Sequence, residues 1–267
     1  MLRLEFKPDP DRHITLREVN GIDEATYFAE LTSAINSSPQ RDLLMYVHGY
    51  NVDFNNALLG EAQLAYDLNA QFPSLVFSWP SRAELTGYVQ DLDNVQYASP
   101  HFTEFMEKVT SSGKVVHLHV IAQGLGCRLV VNAISQLSAS PDGSNLKIKN
   151  LIMLAPDIDL DLFVAQAKRI TEVVDRTTVY VSRSDLALKA SAQFLVSPRL
   201  GQAPTGRLAL PGIDTVDVSD GNAWLSVLGV NSVLADIYQL LSNDLPPARR
   251  HGLKAIGAAD GRYWRLQ

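Results

Sequence analysis

At 267 residues, with 46% hydrophobic and 19% charged side chains, the chain has the composition of one globular α/β domain and excludes a disordered or fibrous protein. Its net charge of −6 offers no basic footprint, so nucleic acid is not an expected partner. The one cysteine, Cys127, rules out an intrachain disulfide and a cysteine-based zinc cluster. No apolar run of about 18 residues is present to span a membrane, and charges interrupt the opening residues where a signal peptide needs an apolar core. A cytoplasmic location without membrane contact is expected.

In chain order, residues 2–6 and 14–19 read as two opening strands, and residues 23–35 as a helix with apolar positions at helical spacing. The run from Asp42 to Val47 reads as a buried strand entering a glycine turn at Gly49. A helix over 55–72, capped near Asp53, and a strand from Leu75 stopped by Pro80 come next. Residues 82–100 are polar and read as irregular, a cap-like insertion before a helix over 101–110. The most apolar strand, Val115 to Ala122, is the expected centre of the sheet, and a helix over 124–137 follows it. Further strands are expected over 146–154, 177–182 and 215–218, with helices over 161–174 and 232–241. The tail, residues 244–267, opens on a proline-broken segment. This alternation predicts a single domain over 1–267 with a parallel sheet covered by helices on both faces. Ligands of such sheets bind at the carboxyl ends of the strands, which directs attention to the loops after Val47, Trp79, Ile121, Leu154 and Ser182.

Several segments fall in a recognisable order: Val47-His48-Gly49-Tyr50-Asn51, Phe77-Ser78-Trp79-Pro80-Ser81-Arg82, Gly87-Tyr88 with Asp91, Leu154-Ala155-Pro156-Asp157-Ile158-Asp159 with Phe163, and Val181-Ser182 with Asp185, Ala187 and Leu188. Together they resemble the bacterial, uncharacterised α/β hydrolases, a domain of unknown function, with an HGF–WPS–HSMGN signature. The resemblance covers residues 42–241 and implies the α/β-hydrolase fold, with a nucleophile elbow after the central strand. Here the elbow reads Gln123-Gly124-Leu125-Gly126-Cys127-Arg128, so Gly124 stands at the nucleophile position and offers no side chain to attack a carbonyl. The stretch Leu225 to Leu234, matching the segment that carries the family's base, has no histidine. Asp185 matches the family's catalytic acid, but an acid orients a base and activates nothing alone.

Each remaining group has a plain reading beside a chemical one. Cys127 is a substitute nucleophile only if accessible, and free cysteines are among the most buried residues. His117 and His119 alternate along one strand and read as satisfied core residues. Asp159 reads as a helix cap and Asp157 as a loop tie, ahead of acid–base roles. His48, Trp79, Tyr88 and Asp157 are candidates for the pocket wall. No metal-ligand spacing is found, and no cofactor is expected.

The resemblance also implies a surviving oxyanion hole, built from the backbone N–H of Leu125 and one near Gly49 or Tyr50, with Gln123 adding an amide. A helix N-terminus with no side chain before it can cradle an anion or a polarised carbonyl. Three readings follow. The first is a pseudoenzyme that binds a small ligand or a protein partner. The second is a lyase, isomerase or cyclase using the oxyanion donors. The third is an esterase with a relocated base, Asp185 or Asp157, and water as nucleophile.

Overall fold

A computed structural model describes residues 14–139, 147–204, 207, 209–220, 230–258 and 261–267. The strands are β1 (Asp42–Val47), β2 (Ser74–Phe77), β3 (His117–Gln123), β4 (Ile148–Leu154), β5 (Val174–Val181), β6 (Ile213–Asp217), β7 (Leu253–Ala258) and β8 (Gly261–Leu266). The α-helices are α1 (Glu24–Ser37), α2 (Phe54–Asp67), α3 (Tyr88–Ser111), α4 (Gly126–Leu137), α5 (Leu160–Val173), α6 (Leu186–Leu195) and α7 (Asn231–Asn243). The strands form one sheet in the order β2-β1-β3-β4-β5-β6-β8-β7, parallel throughout except where β7 runs against β8. This is the α/β-hydrolase arrangement, with β3 in the interior as its apolar sequence predicts.

Alternation along each strand splits the core into two layers. Leu43, Met45 and Val47 of β1 pack with Val120, Ala122, Leu151, Met153, Val179 and Val181 against α3, α4 and α5. The intervening Leu44 and Tyr46 pack with Ile121, Ile152, Leu154 and Tyr180 against α2, α6 and α7. A period of two on strands buried on both sides explains why they read as continuous apolar runs. Aspartates begin four of the helices. Asp23, Asp53, Asp159 and Asp185 accept from the backbone N–H of Thr26, Asn56, Leu162 and Leu188, at 2.8, 2.8, 2.8 and 2.9 Å.

Three expectations need correction. Residues 14–19 lie in no strand, and residues 2–6 fall outside the described residues. The stretch read as irregular is mostly helix: α3 runs unbroken from Tyr88, with Pro100 inside it. Val95, Ala98 and Phe102 anchor it to the core, while Asp91 is buried and accepts from Ser81 Oγ and Arg82 N, each at 2.7 Å. Its polar outer face hid this periodicity. The tail also joins the fold, because β8 pairs with β6 and carries β7 at the edge. Arg250, fully buried, fastens it to α7 through Asp236 at 2.9 Å. No helix among the described residues is long and apolar enough to cross a membrane.

Candidate functional site

The carboxyl edge is shaped by two left-handed turns on neighbouring strands. Gly124, after β3, has φ +51°, and Ala155, after β4, has φ +44°. They are tied together, since Gly124 N donates to Leu154 O and Asp157 N donates to Gly124 O, both at 3.0 Å. At Gly124 the φ favours glycine, but a Cβ would have room, its nearest neighbour being Gly49 Cα at 3.8 Å. Gly126 differs. A Cβ there would stand 2.3 Å from His48 O and 2.9 Å from Val47 O, so only glycine lets α4 start this close to the end of β1.

The helix that begins here has no side-chain cap, unlike α2, α5 and α6. Leu125 holds the cap position, and its backbone N–H finds no partner among the described residues. Beside it opens a cavity of about 760 Å³. Gly49, Tyr50, Gln123, Gly124, Leu125, Tyr88, Asp157 and Asp185, all named from the sequence, line it.

His48 and Trp79 do not, which corrects their place among the pocket candidates. Both are buried outside the cavity lining, with rings stacked at 5.1 Å and 7°. Trp79 Nε1 donates to His48 O at 2.8 Å, and Trp79 N donates to His48 Nε2 at 3.1 Å. His48 Nε2 is therefore an acceptor, and Nδ1 donates to Gly49 O at 2.8 Å. Burial lowers the His48 pKa against these backbone bonds, so the ring is a neutral brace between β1 and β2 rather than a base.

Asp157 is spent on structure, though it faces the cavity. Tyr88 Oη and Ser191 Oγ each donate to one of its oxygens at 2.8 Å, and lie 2.7 Å from each other. Behind it, Arg199 and Arg128 stand 3.6 and 3.8 Å from Oδ1. Burial and the Asp157 charge hold the Tyr88 phenol far above its usual range. Asp185 caps α6 and is buried at the cavity wall. Burial raises its carboxyl pKa, backbone N–H groups oppose this, and Asp157 adds to the rise. Asp159 is the cap of α5, as its plain reading held.

Cys127 is fully buried, and burial pushes its thiol well above the ordinary range, so it is no substitute nucleophile. His117 and His119 lie at the opposite, amino edge of the sheet. His101 is on α3 and His251 precedes β7, both exposed; no histidine among the described residues lines the cavity. Residues 225–229, matched to the family's base-bearing segment, fall outside the described residues.

The sequence reading missed the far wall, made by Leu85, Thr86 and Val89 and by Leu186, Ala187, Ala190, Ser191 and Phe194 of α6. Spacing of three and four along α6 marks a common face, yet spacing does not say what that face meets. Tyr50, Tyr88 and Phe194 run along this wall edge to face, with centroids 5.6 and 6.2 Å apart.

Comparison with solved structures finds a crystal structure of an uncharacterized protein from Bacillus cereus ATCC 10987, at 13% identity and a TM-score of 0.42. The match covers 68% of this chain and 51% of that one, so the chain spans about half that protein's length. Comparison with curated proteins finds no match. Residues 23–233 match the family described as alpha/beta hydrolase of unknown function (DUF900), and the chain belongs to that family.

Proposed function

We propose that this protein is a hydrolase-fold binding protein, a pseudoenzyme that holds a small carbonyl ligand above Gly124 and does not hydrolyse it through a serine. One arrangement carries the reading: Gly124 and Leu125 both line a cavity of ligand size, and the Leu125 N–H is unpartnered among the described residues. A carbonyl oxygen would take that donor and the positive end of α4. The charge balance favours a carbonyl over a carboxylate or phosphate. Two aspartates line the cavity, and no lysine or arginine does among the described residues, so no cationic side chain there offsets an anion's desolvation or the repulsion of those carboxylates.

The test uses isotope-labelled protein and the neutral ketone acetophenone. The Leu125 amide resonance is expected to shift on titration, and p-nitrophenyl butyrate to give no burst of nitrophenol. A burst of one equivalent, or an unmoved Leu125 amide, rejects the reading.

A second reading, a non-hydrolytic enzyme, is favoured by Asp185. Its buried carboxyl lines the cavity and titrates above the usual aspartate range because of that burial. Such a group exchanges protons with the carbon beside a bound carbonyl. Deuterium uptake by acetophenone's methyl group, catalysed by the wild type and lost in Asp185→Asn, would establish it; equal uptake by both proteins would remove it.

A further inference from the structure

The polar side chains Asp157, Asp185 and Ser191 lie at the buried inner end of the cavity beside Leu125, Ala155 and Leu188, and large apolar side chains lie at its exposed end. Inside, Leu125 and Asp157 are 1% and 5% exposed. Around the opening, Leu85, Val89, Leu186 and Phe194 are 79, 53, 52 and 58% exposed. Single exposed apolar residues are ordinary, but four large ones from two separate chain segments, gathered at one opening, are not. They cost free energy in water and recover it only when something apolar covers them.

We infer that the cavity takes an uncharged fatty acyl ester, its carbonyl at the Gly124 turn and its aliphatic chain running out over Leu85, Val89, Leu186 and Phe194. This rests on the preceding reading of the cavity as a carbonyl site and adds the substrate class. Three observations converge on it. The volume of about 760 Å³ is far more than a carbonyl group needs and suits a small lipid-like molecule. The exposed apolar side chains lie at the outer end, where a chain would run. No cation among the described lining residues is present to receive a free fatty acid, since Arg128 and Arg199 lie behind Asp157 and outside the lining.

The experiment is isothermal titration of the full chain with methyl butanoate, hexanoate, octanoate and decanoate, and with decanoate anion, at pH 8. Each methylene that becomes buried is expected to tighten ester binding roughly fourfold, with decanoate anion showing no binding. Leu85→Ser and Phe194→Ser are expected to flatten the dependence on chain length. Both positions are exposed, and an unchanged melting temperature would verify that the fold is intact. Equal affinity for short and long esters overturns the inference and leaves the carbonyl site standing. Decanoate binding as tightly as methyl decanoate overturns it in favour of an anion site. If no ester and no anion binds, the carbonyl reading falls with it.

Discussion

The two ends of strand β3 use polar groups in opposite ways. At the amino end, side chains bond to one another, although His119 Nε2 and Asn150 Oδ1 are left without a hydrogen-bond partner. Asp42 Oδ1 accepts from His117 Nδ1 at 2.7 Å, and Asn150 Nδ2 donates to His119 Nδ1 at 2.9 Å. His119 Nε2 then points toward Asp42 Oδ2 at 3.7 Å, with Phe72 stacked on the imidazole ring at 5.6 Å. At the carboxyl end the backbone turns at Gly124, and the Leu125 N–H is left over beside open volume. The difference is one of space: the amino-end groups pack against one another and Phe72, whereas the Leu125 N–H adjoins a cavity. Histidines alone would have pointed to the wrong end.

The largest expected effect separates two glycines of the carboxyl end. Gly126→Ala drives a methyl into His48 O and Val47 O and is expected to cost about 3 kcal/mol in urea unfolding. Gly124→Ala meets only the strain of its φ and is expected to cost about 1 kcal/mol. Equal losses would mean that the elbow apex is packed, and would erase its contrast with the amino end.

Next, Asp42→Ala removes the hub of the amino-end cluster and is expected to cost about 2 kcal/mol at pH 7. Burial raises the Asp42 pKa, but the attraction of His119 and the hydrogen bond and charge of His117 outweigh it, and the net shift is downward. The contribution is therefore complete above the ordinary aspartate pKa and is lost as pH falls through the lowered one. The gap between wild type and variant should close below about pH 4. A gap that persists in acid would mean that the cluster holds by packing rather than charge.

The smallest expected effect is a gain. Asp185→Asn keeps a good cap for α6 while deleting a buried acid. Because burial raises this pKa, the folded wild type holds the proton longer than the unfolded chain, and its stability falls as pH rises through that window. The variant should melt slightly higher at pH 7 and equally at acid pH. A lower melting point at pH 7 would mean that the charge itself is used at the carboxyl end.

The sheet, the elbow glycine and the aspartate caps were legible because each is local. Alternation along β1 and β3, a glycine between strand and helix, and Asp53 or Asp159 ahead of a helix depend on neighbours in sequence. The polar face of α3 misled because Val95 and Ala98 are the buried apolar anchors between Tyr88 and Pro100, and their value comes from the α4 side of the core. The β7–β8 hairpin was missed because its place in the sheet is set by β8 pairing with β6, more than forty residues earlier.

By itself the sequence determined the fold class and the glycine turn at Gly124, since backbone preference and side-chain identity belong to single residues. Only the tertiary structure decided that His48 and Trp79 bond to each other away from the cavity lining, that Asp157 is occupied by Tyr88 and Ser191, and that α6 supplies an apolar wall. Those outcomes depend on which side of the sheet each loop folds over, and so on contacts between residues that are distant in the chain.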